Sequence, residues 1–180
     1  QEEFPAKGDI LFEQLISREE GVHFLEITGG LLTHYDERGT LQYEIFEPSE
    51  TLSSGAVLSL EEKFLAGEGQ NITPARFASK AASYEAVASQ VKADLEKAAS
   101  ILNVQGYARI DAFVRILADG TAETQIIEVN SLPGMTPATC IFHQAAAAGY
   151  KPYQFIDQIL SFGFDKKSKS LGAAARPEEE

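Results

Sequence analysis

Apolar and polar residues alternate over much of the first fifty positions, which predicts β-strands in this part of the chain. Residues 10–16, ILFEQLI, form an apolar run suited to a buried strand. Residues 21–28, GVHFLEIT, read as a second strand, and the Gly29-Gly30 pair predicts a break after it. The segments on either side of residues 37–39 predict a hairpin, because each arm has strand character and the turn contains Gly39.

The clearest helix is predicted at residues 83–103, SYEAVASQVKADLEKAASILN. Apolar residues recur there at intervals of three and four, the spacing of one buried helical face. Ser83 is suited to cap the start, and Gly106 lies just beyond the end. Two further predicted helices run from Thr136-Pro137 to Gly149 and from Pro152 to Phe164.

Residues 107–130 predict a second hairpin, with Asp119-Gly120 in its turn. Residues 47–79 are rich in Ser, Gly, Glu and Pro, which predicts a long loop that is either a functional lid or a disordered stretch. Residues 166–180 are small and charged and predict a disordered tail. The elements together predict an α+β fold over residues 1–165, with an antiparallel sheet and helices packed on one side.

Charge and composition limit which binding partners and which cellular compartment we expect for the protein. The 180 residues carry a formal net charge of −12, which disfavours nucleic acid and anionic membranes. The one cysteine, Cys140, excludes an internal disulfide and fits a reducing compartment. The first residues lack the pattern of a signal peptide, and no apolar run is long enough to span a membrane. We therefore expect a cytoplasmic protein.

Four polar residues with chemical potential lie on the two arms of the second hairpin. Arg109 and Asp111 are two apart, and so are Glu128 and Asn130, so each pair shares a face of its strand. If the two polar faces coincide, two carboxylates, an amide oxygen and a guanidinium converge. Such oxygen donors suit Mg²⁺. The turn SLPGMTP follows at once and leads into a helix N-terminus, which favours bound negative charge.

A purely structural interpretation of this constellation stays open. Acidic residues are ordinary on the solvent face of a hairpin, and Arg109 could simply neutralise Asp111. Lys63, in EEKFLAGEGQ, is likewise either a lid residue that reaches a phosphate or a solvated lysine on a loop. Cys140 is interpreted as a core thiol, and the three histidines form no ligand spacing. Neither GxxxxGK[ST] nor GxGxxG occurs.

Four segments taken together resemble the carboxy-terminal half of the D-alanine–D-alanine ligases, members of the ATP-grasp superfamily. They are FEQLISREEGVHF, EKFLAGEGQNITPARF, GYARIDAF and IIEVNSLPGMTP, in the family's order from about residue 10 to about residue 162. The resemblance implies an ATP-grasp carboxy-terminal domain. It also implies an ATP-dependent ligase for peptidoglycan precursor synthesis, part of bacterial cell-wall biogenesis.

The resemblance implies roles for the constellation. Asp111, Glu128 and Asn130 correspond to ligands of two Mg²⁺ ions, or Mn²⁺ in their place, that bridge the ATP phosphates. Arg109 corresponds to the residue that steadies the acyl phosphate. Gly134 corresponds to the backbone N–H donor that joins it in an oxyanion site.

Further implied roles lie outside the hairpin. Lys63 corresponds to the lid lysine that contacts the transferred phosphate, and Glu20 to the acid that binds the ribose hydroxyls. The adenine-lining hinge corresponds to Phe12, Glu13, Gln14, Leu15 and Ile16. Near the second substrate lie Phe64, Thr139 and Cys140, where the family often has tyrosine, serine and leucine. In this family phenylalanine at the first of these positions accompanies use of D-lactate, so either a dipeptide or a D-alanyl-D-lactate product is implied.

The resemblance also shapes the expectation for the chain alone. The amino-terminal lobe and the lobe that supplies further phosphate-binding lysines have no counterpart in it, which implies an excised piece or a natural fragment. We expect negligible ligase activity from the 180 residues alone, and a homodimeric parent protein. Two alternatives stay open: another ATP-grasp carboxylate ligase, and a non-catalytic binding module that keeps the fold.

Overall fold

A computed structural model describes residues 11–16, 21–52, 71–136 and 139–174, the last eight as backbone only. The strands are β1 (His23–Tyr35), β2 (Leu41–Ile45), β3 (Ser49–Thr51), β4 (Asn71–Ile72), β5 (Tyr107–Ile116) and β6 (Ala122–Asn130). The helices are α1 (Tyr84–Ile101), α2 (Cys140–Ala147) and α3 (Pro152–Ala174). The predicted α+β architecture, with an antiparallel sheet and packed helices, is confirmed.

Strand β1 is the centre of a six-stranded antiparallel sheet. One edge of β1 pairs with β5, which pairs in turn with β6. The other edge pairs with β2 near its end and with β3 near its start, and β4 pairs with β3. The two predicted hairpins, β1–β2 and β5–β6, are both confirmed.

The predicted break at Gly29-Gly30 is wrong, because β1 runs through both glycines. They serve helix packing instead. A Cβ on Gly29 would meet Leu95 of α1 at 2.5 Å, and one on Gly30 would meet Gln144 of α2 at 2.4 Å. Neighbouring strand residues point to opposite faces, so α1 and α2 approach the sheet from opposite sides. The expectation that all helices pack on one side is therefore corrected.

The larger core lies between the sheet and α1. Alternate residues of β5 are buried, and they pack with the apolar face of the helix. Val87, Val91 and Leu95 supply that face, and the Ser83 hydroxyl accepts a hydrogen bond from the Ala86 N–H at the helix start. A smaller core on the opposite face joins Phe46 of the β2–β3 connection to α2 and α3. The helix predicted at residues 83–103 is thus confirmed within two residues at its ends.

Three other predictions differ from the structure. Residues 11–16 form no strand, and Leu11, Phe12 and Leu15 are exposed, because nothing in the described part of the chain covers them. The loop predicted at 47–79 contains β3 and β4, which pair with each other; residues 53–70 lie outside the described residues. Helix α3 continues to Ala174, past residue 166, where the disordered tail was predicted to start. Within the described ranges, none of the helices is long and apolar enough to cross a membrane.

Candidate functional site

The polar ends of β5 and β6 bring the predicted constellation together. Arg109 lies directly opposite Asn130, and Asp111 directly opposite Glu128. Arg109 donates from Nε to Asp111 Oδ1 and from Nη2 to Asp111 Oδ2, both at 2.9 Å. Its Nη2 is also 3.9 Å from Glu128 Oε1. The four side chains therefore form one cluster, which we call the hairpin cluster.

Asn130 occupies the space between the two carboxylates of the hairpin cluster. Its Nδ2 donates to Glu128 Oε1 at 3.1 Å and lies 3.4 Å from Asp111 Oδ2. Exposure rises across the cluster, from 17% for the Asp111 side chain to 48% for that of Glu128. One carboxylate is thus anchored in the sheet, and the other faces solvent.

A β-bulge at Ile127 makes this convergence possible. The pairing steps from Ala112 opposite Ile126 to Asp111 opposite Glu128, so Ile127 has no partner on β5. Without the extra residue, simple counting from the turn would place Glu128 opposite Ile110, on the face that α1 covers. The bulge changes which residues of β6 face the cluster, as bulges beside functional sites commonly do.

Strand β1 supplies a contact that the sequence did not reveal. Thr28 pairs with Asp111 across the sheet, and its buried hydroxyl donates to Asp111 Oδ1 at 2.6 Å. Asp111 Oδ1 therefore accepts from both Thr28 and Arg109. The sequence signal for Thr28 was weak, because a single threonine in a strand is usual.

The turn after β6 and the start of α2 lie beside the cluster. A Cβ on the exposed Gly134 would be 3.6 Å from the Thr139 side chain. The Thr139 hydroxyl donates to the Thr136 carbonyl at 2.8 Å, and Thr139 is the N-cap residue of α2. The predicted helix start at Thr136-Pro137 is thus corrected, because the helix begins at Cys140 with Thr139 as its N-cap residue.

Cys140 begins α2 close to the hairpin cluster. Burial raises the pKa of its thiol, and the nearby Arg109 lowers it less. The thiol is therefore protonated at neutral pH, which fits the prediction of a packed rather than reactive cysteine.

The remaining predicted site residues belong to the first described segment or lie outside the described residues. Phe12, Glu13, Gln14 and Leu15 are exposed and Ile16 is half-buried, in a segment without regular structure. Glu20, Lys63 and Phe64 lie outside the described residues. Their roles stay predictions.

The donor set of the hairpin cluster fits a divalent cation. Asp111, Glu128 and Asn130 offer carboxylate and carboxamide oxygens, which Mg²⁺ and Mn²⁺ prefer. Rotation of the Asn130 carboxamide exchanges its nitrogen for its oxygen beside the two carboxylates. In the described ranges no group of three or more His, Cys, Asp or Glu residues is arranged for a metal, so the amide would have to complete any protein ligand set.

Solved ligases share this fold. Two crystal structures of D-alanine–D-alanine ligase from Bacillus anthracis, one complexed with ATP, superpose with TM-scores of 0.53 and 0.52, the latter for the ATP complex. Their sequence identities to the chain are 19% and 20%, in the same order. Each match covers 81% of this chain and 40% or 41% of the ligase. The fold is therefore that of the matching part of these two ligases.

The sequence comparison gives the family. The family model described as D-ala D-ala ligase C-terminus matches residues 9–161, and the chain belongs to this family. The D-alanine–D-alanine ligase of Syntrophobacter fumaroxidans is 30% identical over 82% of the chain, and that of Leptospira interrogans is 29% identical over 79%. The matches cover 42% and 37% of those two proteins, so the chain spans about two-fifths of their length.

Proposed function

We propose that the chain is the cation- and phosphate-binding domain of an ATP-dependent ligase that joins D-alanine to a second D-alanine or to D-lactate. The observation that carries the proposal is the hairpin cluster, in which a bulge turns Glu128 and Asn130 toward Arg109 and Asp111. Membership of the ligase family supports ATP and a D-amino acid as substrates.

Asp111, Glu128 and Asn130 would hold Mg²⁺, or Mn²⁺ in its place. When bound, the cation neutralises charge on the phosphoryl group in transfer. Lys63 would contact that phosphoryl group, and Glu20 would bind the ribose. The segment from Phe12 through Glu13, Gln14 and Leu15 to Ile16 would line the adenine, and its exposed apolar side chains are suited to being covered by a flat ring.

The reaction has two steps. The carboxylate of a first D-alanine attacks the terminal phosphorus of ATP, which forms an acyl phosphate and releases ADP. The amine of a second D-alanine, or the hydroxyl of D-lactate, then attacks the acyl carbon, and inorganic phosphate leaves. The negative charge that develops on the acyl oxygen would lie near the Arg109 guanidinium and the Gly134 N–H, which would stabilise it.

The choice of second substrate would be made near Phe64, Thr139 and Cys140. Phenylalanine has no hydroxyl with which to bind a second amino acid. The Thr139 hydroxyl already donates to the Thr136 carbonyl, so its oxygen remains as an acceptor. We propose that this lining tolerates a hydroxyl nucleophile as well as an amine.

A direct test assays the full-length protein that contains this chain for D-alanine-dependent release of phosphate from ATP. Arg109→Gln and Asp111→Asn should each lower kcat by roughly 10²–10³-fold, because each removes a group that acts in the transition state. Glu123→Gln, a carboxylate at the other end of the same hairpin, is the matched control and should leave kcat unchanged. Wild-type activity in both cluster variants would overturn the proposal.

The product identifies the second substrate. Mass spectrometry of reactions that contain D-alanine and D-lactate together distinguishes the dipeptide from the depsipeptide. We expect the depsipeptide to form in the wild-type protein and to decrease in Phe64→Tyr. Release of phosphate only with another carboxylate or amine would instead identify a different ligase of the same superfamily.

A further inference from the structure

The hydrogen-bonding edge of β1 that faces β2 and β3 has a gap. Residues 26–28 of β1 pair with β3, and residues 31–35 pair with β2, but the connection between those strands leaves the edge at Gly29-Gly30. Phe46 donates to the Gly30 carbonyl there. The Gly30 N–H and the Thr28 carbonyl need other partners, because buried backbone groups are costly to leave unbonded.

The side chain of Gln144 fills this gap. Its Oε1 accepts from the Gly30 N–H at 2.8 Å, and its Nε2 donates to the Thr28 carbonyl at 2.7 Å. A neighbouring strand would offer a peptide group in this place, and the carboxamide of Gln144 has the same acceptor and donor. Gln144 is fully buried on α2, and the absence of a side chain on Gly30 makes room for it.

A third hydrogen bond extends the arrangement to β3. Gln144 Nε2 also donates to Ser49 Oγ at 2.9 Å, and Ser49 Oγ is 2.5 Å from Thr73 Oγ1. The carboxamide is therefore bonded through its oxygen and its nitrogen to two strands at once. A satisfied, fully buried polar network of this kind fixes one arrangement of the elements that it joins.

The same segment of β1 holds Asp111. The carbonyl of Thr28 bonds to Gln144, and the hydroxyl of Thr28 bonds to Asp111 Oδ1 at 2.6 Å. Thr28 thus lies between the buried carboxamide and the carboxylate of the hairpin cluster. The hydrogen bond from Gln144 fixes the backbone of Thr28, and the hydroxyl of Thr28 in turn fixes the carboxylate of Asp111.

We infer that Thr28 and Gln144 are positioning residues that set the orientation of the Asp111 carboxylate, with Gln144 serving as a substitute peptide group in the gap of β1. The orientation of Asp111 is independent of the proposed function. Only its consequence, tighter binding of a divalent cation, rests on that function. Groups that hydrogen-bond to a metal ligand typically change metal affinity by about 10–100-fold when removed.

The test uses the 180-residue chain and Mn²⁺ alone as the probe. Binding is followed by paramagnetic broadening of backbone amide signals near Asp111 in ¹H–¹⁵N spectra. Thr28→Val keeps the shape of the side chain and removes the hydroxyl, and we expect it to weaken Mn²⁺ binding by about 10-fold. Thr28→Ser should restore binding.

The matched control is Thr33→Val on the same strand. Thr33 is buried, and its hydroxyl donates to the Gly106 carbonyl and accepts from the Gly106 N–H, away from the cluster. This variant should lose stability but keep wild-type Mn²⁺ affinity. Equal weakening in Thr28→Val and Thr33→Val would assign the effect to general loosening of the sheet and would overturn the inference.

A readout without metal separates this inference from the proposed function. Three-bond couplings to Asp111 Cγ report its χ1 rotamer, which should be single in wild type and Thr33→Val and averaged in Thr28→Val. If wild type shows no Mn²⁺ effect at the cluster, the proposed function fails, and the couplings alone decide the inference. Unchanged couplings in Thr28→Val would overturn it.

Gln144→Met tests the second positioning residue, since it keeps the side-chain length and removes all three hydrogen bonds. We expect averaged Asp111 couplings and several-fold weaker Mn²⁺ binding. A folded Gln144→Met with wild-type values would remove Gln144 from the inference. If it does not fold, Ser49→Ala removes the bond from Gln144 Nε2 together with the hydrogen bond between Ser49 and Thr73, and it leaves the two bonds from Gln144 to β1 in place. It should fold, and averaged Asp111 couplings would support the role of Gln144 whereas wild-type couplings would contradict it.

Discussion

The β5–β6 hairpin carries a charged group at each end, and the two groups differ. Near the turn, Arg115 lies directly opposite Glu123 and donates to it at 2.6 and 2.9 Å. The register there is regular, and the two side chains form a cross-strand ion pair. At the open end, the hairpin cluster places one guanidinium among two carboxylates and an amide, and it is reached only through the bulge.

The ion pair near the turn is explained by stability of the hairpin, whereas the hairpin cluster is not. A cross-strand ion pair in regular register is the ordinary way to neutralise charge on a sheet, and cross-strand pairs of opposite charge contribute about 0.2–1 kcal/mol. At the open end, an irregular strand gathers several oxygen donors around the single guanidinium of Arg109. The need to stabilise the hairpin does not explain this arrangement. The difference supports our proposal that the open end of the hairpin binds a cation.

The largest effect is expected from removing the central carboxylate. Asp111→Asn should weaken Mn²⁺ binding to the chain by at least about 100-fold, because loss of a direct ligand should exceed loss of a supporting hydrogen bond. Glu123→Gln is the control, and it should change the free energy of unfolding by no more than about 1 kcal/mol and leave Mn²⁺ binding unchanged. Equal losses in the two variants, measured by amide broadening, would erase the distinction between the two ends.

A smaller effect is expected from crowding the sheet beneath the cluster. Gly30→Ala places a Cβ 2.4 Å from Gln144 and 3.0 Å from Ile141, and should cost about 1–3 kcal/mol of unfolding free energy. It should also weaken Mn²⁺ binding. Gly29→Ala meets only the flexible end of Leu95, so it should cost less and leave the cluster intact. Chemical denaturation and Mn²⁺ titration measure both, and the reverse ranking would contradict the packing described for α2.

A change of opposite sign is expected for Arg109. Its guanidinium bonds to both oxygens of Asp111 and repels a cation, so Arg109→Gln should tighten Mn²⁺ binding to the chain several-fold. The same variant should slow the ligase reaction, since the acyl oxygen loses its cationic partner. Arg115→Gln is the matched control and should alter neither. Weaker Mn²⁺ binding in Arg109→Gln would mean that Arg109 organises the site rather than competing with the cation.

The smallest effect concerns the bulge itself. Deletion of Ile127 should leave Glu128 opposite Asp111 in a now regular hairpin, so Mn²⁺ binding should be retained. Nuclear Overhauser contacts between the β5 and β6 backbones report the register. Insertion of one residue after Ile127 should be worse tolerated, because the strand must absorb a second extra residue. Loss of the Asp111–Glu128 pairing on deletion would show that the bulge shapes the site as well as setting its register.

Much of the fold could be predicted from the sequence wherever the spacing of apolar residues clearly matched a helix or a strand. The helix at α1 and both hairpin turns followed from spacing, a capping serine and glycines at positive φ, such as Gly39 and Gly120. The predictions at Gly29-Gly30 and at residues 10–16 failed for another reason. A glycine pair can mark a break or a close helix contact, and an apolar run can be covered or exposed; tertiary packing decides both.

The site was predictable in its residue types and less so in its geometry. Two acids, an amide and an arginine at strand spacing indicated a cation site, but strict alternation would have turned Glu128 away from Asp111. The doublet Ile126-Ile127 was the available sign of a bulge. The roles of Thr28 and Gln144 could not be predicted, because they depend on a gap between β2 and β3 that exists only in three dimensions.

The most direct test of the central claim is the location of Mn²⁺ in a crystal of the chain, found by its anomalous scattering. We predict a peak within coordination distance of carboxylate oxygens of both Asp111 and Glu128, with the Asn130 carboxamide oxygen turned toward it. A peak elsewhere, or none at these oxygens when Mn²⁺ is saturating, would contradict a cation site at the hairpin cluster.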